Sequence, residues 1–595
     1  MLEETKQTES GENEVEKQIK SWRQKGIWLL LYALIPLLAF YLMECYEHNP
    51  FAQVRVLAQL FNILLFELIG WLLYALIGRM CFASRVLLGL AVAFGITNHY
   101  VMKFRSTPFV PWDLFSVGTA ASVAGNYDFT PDRRMVVVTV IFAVCFVLVR
   151  FLKKGPRFSW KIRLGSVVLL GLALCTFVNA LQQESFQTRH YLYPFLFTPA
   201  YMTKVNGMAV TFAMDLAYVA VERPAGYDAK DAEQTLAKYD TKTQEAATGD
   251  LPNIIVIMDE AFSDLRVVGS LETNVDYMPF MHRMQQGQEN TITGYVQTSV
   301  CGGNTADSEF EFLTGNTMAF LPSGSIPYQQ YIKSKTPSLA SYLKSIGYET
   351  YAQHPYQASG WNRDKVYPLL GFDHMDFMED YHDVSYVRNY ISDESDMEHI
   401  IETYEKNKTS GKPAFIFNVT MQNHGGYTDT YRNLTNDITS QYASEPLNQY
   451  LTLIHKTDQA LENLIDYFSK ADDKTVIVFF GDHQPNDTVA SVVENGAQVE
   501  TQKRYLVPYL VWSNYEIEGA KDQNTSLNYL AAQVLAAAGV PTNAYQNYLL
   551  SLRNTYPVIS AAGQTKGIGA DDKQLQTYKK LQYYQLFEKN KEKDE

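Results

Sequence analysis

Five apolar runs in the first 181 residues constrain this chain more than anything else in it. They cover residues 27–46, 56–77, 86–102, 135–152 and 164–181. About 20 apolar residues in a helix cross the hydrocarbon core of a bilayer. Inside lipid every backbone N–H and C=O must be satisfied within the chain, so such runs are read as transmembrane helices. The first run follows a polar tail and is not trailed by a small-residue cleavage site, so it reads as a retained span. The remaining two-thirds has the mixed composition of a water-soluble body. The expected organisation is a cytoplasmic tail (1–26), a five-span membrane domain (27–181), juxtamembrane helices and a linker (182–250), a large α/β domain (251–555) and a polar C-terminal extension (556–595).

Lysine and arginine in the short connections set the orientation. Lys17, Lys20, Arg23 and Lys25 precede the first span, Arg79 and Arg85 follow the second, and Arg150, Lys153, Lys154, Arg157, Lys161 and Arg163 crowd between the fourth and fifth. Alternation puts all of these on one face. The other face has fewer, Arg55, Lys103, Arg105, Arg133 and Arg134 among them. The N-terminus is therefore expected in the cytoplasm and everything beyond residue 181 outside it. Glu67 falls inside the second span, where a carboxylate is costly; a hydrogen-bonded, bundle-facing group is the expectation. The aromatic, proline-containing loop 104–131 suits an interfacial segment.

A net charge of −14 argues against an extended nucleic-acid surface. Of five cysteines only Cys301 lies in the soluble part, so that part has no internal disulfide. Apolar β-branched runs at 253–258 (NIIVIM), 414–419 and 476–480 read as buried strands. Helical patterns at 337–346 and 447–469 alternate with them, which implies a mostly parallel sheet covered on both faces. Ligands bind such sheets beyond the carboxyl ends of the strands. Glu260, His424, Asp482 and His483 follow the runs at those ends.

The stretch 299–315, SVCGGNTADSEFEFLTG, reads as a loop turning into a helix with Thr305 near its N-terminus. A threonine there is either an N-cap or, beside a metal, a nucleophile. Glu260, Thr305, Asp482 and His483 together offer two carboxylates, a hydroxyl and an imidazole. That set suits Mn²⁺ best, with Mg²⁺ or Zn²⁺ also accommodated. Trp361 and Arg363, in SGWNRDKVY, offer an apolar plane and a phosphate fork, against core packing and a surface ion pair. His354 and His424 could bond phosphate oxygens or move protons.

These residues resemble the lipoteichoic acid synthase and phosphoglycerol transferase family, of the sulfatase-like branch of the alkaline phosphatase superfamily. The matching stretches are IMDEAFSD around Glu260, GGNTADSEFEFLTG around Thr305, SGWNRDKVY around Arg363, TMQNHGGY around His424 and FFGDHQP around Asp482. The resemblance implies a nucleophilic Thr305, a manganese site at Glu260, Thr305, Asp482 and His483, and substrate contacts from His354, Trp361, Arg363 and His424. It implies transfer of glycerol phosphate from phosphatidylglycerol to a polyglycerolphosphate chain or a glycan. Pro355 and Tyr356 follow His354 where lipoteichoic acid synthases usually carry Gly-Asp, which bears on the acceptor. The C-x-P-S-R signature of true sulfatases is absent, since Gly302, Gly303 and Asn304 follow Cys301. Rival expectations are a phosphoethanolamine transferase, a phosphodiesterase or a sulfatase of the same superfamily, or a catalytically silent membrane sensor that binds glycerophosphate.

Overall fold

The computed structural model describes residues 2–105, 108–116, 129–193, 199–219, 221–240, 251–322, 325–427, 429–494, 501–562 and 572–589. The chain forms two compact units, Met1–Ala220 and Val221–Glu595.

The first unit contains five helices long and apolar enough to span a membrane, over Trp22–Glu44, Val56–Ile77, Met80–Lys103, Arg133–Lys153 and Trp160–Leu181. We name the helices α1 (Leu2–Glu44), α2 (Val56–Ile77), α3 (Met80–Arg105), α4 (Arg133–Leu148) and α5 (Trp160–Leu181). Helix α3 begins six residues before the apolar run that marks it. Only Gly78 and Arg79 separate it from α2, so Arg85 lies within its first turns and not in a loop. Tyr32, Phe40, Phe66, Leu87 and Phe142 form the interior of the bundle, whereas Val136, Val137, Val140 and Val144 on α4 are exposed, as a lipid-facing surface requires. Glu67 is half-buried and accepts a hydrogen bond from Trp71 Nε1 at 2.8 Å. In the loop 104–131, the turn Pro111–Ser116 is ordered with Trp112 buried; residues 106–107 and 117–128 lie outside the described residues.

The second unit is built on an eight-stranded sheet. Its strands are β1 (Asn253–Asp259), β2 (Thr291–Gln297), β3 (Glu349–Gln353), β4 (His374–Asp376), β5 (Ala414–Val419), β6 (Thr475–Gly481), β7 (Leu506–Ser513) and β8 (Thr525–Ser526). Their spatial order is β8-β2-β7-β6-β1-β5-β3-β4. Only β7 runs against its neighbours; every other pairing is parallel. Side chains alternate across a strand, and here both faces are apolar. Ile254, Val256 and Met258 of β1 enter one core with Phe415, Phe417, Val478 and Phe480. Ile255 and Ile257 enter the other with Ile416, Ile477 and Phe479. Helices α6 (Thr305–Thr314) and α10 (Leu527–Ala537) cover the first face through Phe310, Phe312, Leu530 and Val534. Helices α8 (Asp393–Asn407) and α9 (Glu445–Phe468) cover the second through Ile400, Tyr404, Leu451 and Leu461. The remaining helix used below is α7 (Arg363–Leu370).

The C-terminal segment is polar on average, yet a helix at Lys573–Phe587 buries Tyr578 and Leu581. It shares a cluster with Tyr227 and Leu236 from around the helix Ala229–Ala237 and with Tyr545 and Leu549 from Ala544–Arg553. The second unit thus packs chain from both sides of residues 251–555.

Candidate active site

Strands β1, β5 and β6 lie side by side and point the same way, so their carboxyl ends share one edge of the sheet. The residues just past those ends are Glu260, Thr420–His424, and Asp482 with His483. Helix α6 delivers Thr305 to the same place. Its lead-in, Gly302, Gly303 and Asn304, has φ of 73°, 152° and 68°. Such a run of left-handed backbone is open to glycine and tolerated by asparagine. Gly302 N–H donates to the Gln484 carbonyl at 2.9 Å, which stitches the loop beside the Asp-His pair.

Thr305 is the first helical residue of α6, and Asn304 holds the cap position. The threonine hydroxyl therefore does not cap its own helix; it donates to Glu260 Oε2 at 3.3 Å. Glu260, Asp482 and His483 present one ligand atom each within 4.8 Å of one another, all on buried residues. His483 Nε2 lies 3.3 Å from Asp482 Oδ2 and 3.7 Å from Glu260 Oε1. His483 Nδ1–H donates to the Gln484 carbonyl at 2.9 Å, which fixes the tautomer and leaves the Nε2 lone pair facing the carboxylates. Asp482 Oδ2 and His483 Nε2 are buried without a hydrogen-bond partner. Two inward-facing acceptors left orphaned in a buried site fit a cation, because unpaired buried acceptors are otherwise costly. With protein groups alone, burial pushes the Asp482 carboxyl up to about 7, His483 partly offsets that, and Glu260 adds to it.

The backbone around these ligands is tied down from several strands. Asp482 N–H donates to the Asp259 carbonyl at 3.1 Å, and Ala261 N–H returns a bond to Asp482 Oδ1 at 2.8 Å. Glu260 N–H donates to Thr420 Oγ1, whose own hydroxyl donates to Asp259 Oδ2. Ser308 of α6 donates to the Asp482 carbonyl at 2.6 Å. Gly481 allows β6 to pass the β1 turn: a Cβ there would lie 1.9 Å from the Phe262 carbonyl oxygen.

The other expected site residues divide into two groups. Arg363, at the start of α7, is buried and engaged by protein partners. Its Nε and Nη2 donate to Glu309 Oε1 at 3.0 and 2.6 Å, and Nη1 meets His354 Nε2 at 3.0 Å. Tyr367 donates to the second Glu309 oxygen at 2.8 Å. His354 Nδ1–H donates to the Val419 carbonyl at 2.8 Å, so both ring nitrogens are occupied. Burial and the Arg363 cation hold this imidazole well below its ordinary range, hence neutral. His354 is thereby an acceptor that orients Arg363. Trp361 has φ 55° and is half-buried against the core. His424 is exposed beyond β5, with Nδ1 3.2 Å from the Tyr390 hydroxyl.

Sequence reasoning passed over two residues here. Glu309 lay in plain view in the acidic run after Thr305, but nothing in the sequence ties it to Arg363, 54 residues away. Arg388 carries no motif at all, and only the fold brings it beside residues 422–424.

Comparison with known proteins agrees with this architecture. The sulfatase family profile matches residues 252–540. A Rhizobium meliloti protein assigned provisionally to cyclic beta-1,2-glucan modification is 30% identical over 509 residues, 82% of this chain and 78% of that one. Lipoteichoic acid synthase 1 of Bacillus subtilis is 23% identical over 337 residues, 55% of this chain and 52% of that one. Among solved structures, Streptococcus pyogenes phosphoglycerol transferase GacH, bound to sn-glycerol-1-phosphate, superposes with a TM-score of 0.51 at 21% identity, over 61% of this chain and 95% of that one. The chain belongs to the sulfatase family. A lipoteichoic acid synthase is among its sequence matches and a phosphoglycerol transferase shares its fold, as the motifs led us to expect.

Proposed function

We propose that this protein is a membrane-anchored phosphoglycerol transferase with its catalytic unit outside the cytoplasm. The observation that carries the reading is the hydroxyl of Thr305, at the start of a buried helix and 3.3 Å from Glu260, beside a carboxylate–imidazole cluster with unpartnered inner atoms. The donor is phosphatidylglycerol, and the membrane spans hold the enzyme in the bilayer that contains it. The lysine and arginine bias of the loops supports the orientation.

Thr305 Oγ gives up its proton to solvent and attacks the phosphorus of the lipid headgroup. A P–Oγ bond forms, the bond from phosphorus to the diacylglycerol oxygen breaks, and that oxygen takes up a proton. His424, exposed at the mouth of the site, is placed to give that proton. An acceptor hydroxyl then passes its proton to His424 and attacks the glycerophosphoryl-threonine, the P–Oγ bond breaks, and Thr305 takes up a proton from solvent. Glu260, Asp482 and His483, with Thr305, would hold a divalent cation. Mn²⁺ suits this donor set, with Mg²⁺ or Zn²⁺ as alternatives, and such an ion would supply charge stabilisation to developing negative oxygens. Arg363 is held by Glu309 and His354 in a fixed orientation, and Trp361 offers a plane for the glycerol carbons.

Of the two acceptors, a glycan is the better supported. The Rhizobium meliloti relative matches most of this chain, and its name assigns it to glucan modification; polyglycerolphosphate is the alternative. The decisive experiment incubates the purified full-length protein with phosphatidylglycerol and Mn²⁺ and records its intact mass. One glycerophosphoryl group on Thr305, with release of diacylglycerol, is expected. A phosphoethanolamine increment from phosphatidylethanolamine, with none from phosphatidylglycerol, would assign the rival headgroup. Binding of glycerophosphate without turnover of either lipid would leave a sensor.

A further inference from the structure

Arg388 sits in the turn of a small hairpin in which Tyr386–Val387 pairs with Tyr390–Ile391. Its φ is 57°, a conformation that suits glycine and costs an arginine free energy. Its side chain is buried, with 4% of the residue exposed. Nη2 donates to the carbonyls of Gln422 and His424, each at 2.6 Å. The guanidinium lies over the rings of Tyr390, Tyr427 and Tyr431, at 5.3, 5.5 and 5.9 Å from their centroids. Nε and Nη1 are buried with no hydrogen-bond partner.

This is an unusual way to bury a cation. Buried arginines are normally paired, because leaving guanidinium N–H groups unmet in a dry site is costly. The tyrosine faces offset part of the desolvation through cation–π attraction but take up no N–H in a hydrogen bond. Arg363 shows the ordinary solution, with every nitrogen engaged by Glu309 or His354. Arg388 has no ion pair among the described residues. The charge of Glu260, which belongs to the cation cluster, acts on it. The carbonyl it grips is that of His424, and Tyr390, under its guanidinium, meets the His424 ring. The unmet N–H groups therefore lie beside the segment 422–424 that follows β5 at the same site.

We propose that Arg388 is a second anion-binding group of this site, taking a phosphate oxyanion through Nε and Nη1. The assignment rests on the phosphoryl-transfer reading above and adds a residue to it. The phosphate has two possible sources: the glycerophosphate being transferred, or a phosphate already carried by the acceptor.

The test uses full-length protein in detergent with Mn²⁺, and sn-glycerol 1-phosphate as calorimetric probe. R388Q is expected to weaken probe binding roughly ten- to a hundred-fold, the value of a charge-assisted hydrogen bond, with unchanged metal content. Unchanged affinity in folded R388Q, or no binding of the probe by wild type, overturns the proposal. If R388Q does not fold, R388K keeps a charge in the tyrosine cage but loses the guanidinium nitrogens. Several-fold weaker binding is then expected, and equal binding again overturns it. Turnover separates the sources. If the transferred group is bound, diacylglycerol release from phosphatidylglycerol falls with any acceptor, water included. If the acceptor's phosphate is bound, release into water is unchanged and only transfer to phosphate-bearing acceptors falls. Wild type that binds the probe Arg388-dependently yet cleaves no lipid would sink the transferase reading and leave the anion site standing.

Discussion

Replacing Thr305 by alanine separates chemistry from stability, because the structure sets a small value on one and a total loss on the other. The hydroxyl donates to Glu260 at 3.3 Å, long for an O–H donor. Its removal costs no more than about 1 kcal/mol. The lost methyl, on a residue only 6% exposed, costs about 0.8 kcal/mol more. Since Asn304 holds the cap position, no capping contribution from Thr305 is lost. The variant should thus be less stable by about 2 kcal/mol or less, a few degrees in melting temperature. Turnover should instead disappear, because no other hydroxyl replaces the attacking oxygen. Thr305→Ser keeps the oxygen but loses the β-branch that restricts χ1; activity roughly three- to ten-fold below wild type is expected from rotamer freedom. The assay is diacylglycerol release from phosphatidylglycerol, run beside a thermal melt and intact-mass analysis. A folded Thr305→Ala protein that releases diacylglycerol at the wild-type rate would refute the covalent mechanism.

Asp482→Asn should lower bound metal and turnover together, as measured by elemental analysis of purified protein; full occupancy would show that the cation sits elsewhere. Glu309→Ala strands the Arg363 guanidinium in the core and should cost about 3–5 kcal/mol in chemical denaturation; a loss under 1 kcal/mol would mean the pair is solvated. Glu311 accepts bonds from Met318 N–H, Ser299 and Thr317, yet burial raises its carboxyl from 4.5 to about 7. The folded state therefore keeps a proton that the unfolded chain releases between those values. Its contribution to stability is present at acid pH and lost as pH rises toward 7. Glu311→Gln should flatten stability between pH 5 and pH 8, and an unchanged slope would place the titration elsewhere.

The parts of this structure that repeat simple physics were readable in advance. Three of the eight strands announced themselves as continuous apolar runs, because a parallel strand buried on both faces has no polar side. The edge strands β4 and β8 are three and two residues long and carry no such signal. The reversed strand β7 contains Pro508 and reads as interrupted. The helices at 337–346 and 447–469 were visible from periodicity and are found at Leu339–Ser345 and Glu445–Phe468. Ends of central strands point to Glu260, Asp482 and His483 because topology forces whatever follows them to one edge. Arg388 was invisible for the opposite reason: a two-residue strand and a strained turn leave no periodic trace. Nor could sequence show that Arg363 would be consumed by Glu309, since that depends on how α7 docks against α6.

The ties between Asp482 and the segment Asp259–Ala261 carry a consequence for biogenesis. Ala261 and Asp482 are 221 positions apart, yet Ala261 N–H donates to Asp482 Oδ1 and Asp482 N–H donates to the Asp259 carbonyl. Neither half of the cation site can be shaped until β6 has inserted next to β1. A ribosome must therefore finish nearly the whole catalytic unit before the metal has anywhere to go. Contacts that close so large a loop form slowly. A chain exported through the membrane while still being made would emerge as an apoprotein. A cation held by Glu260, Asp482 and His483 would then be taken up only where folding ends.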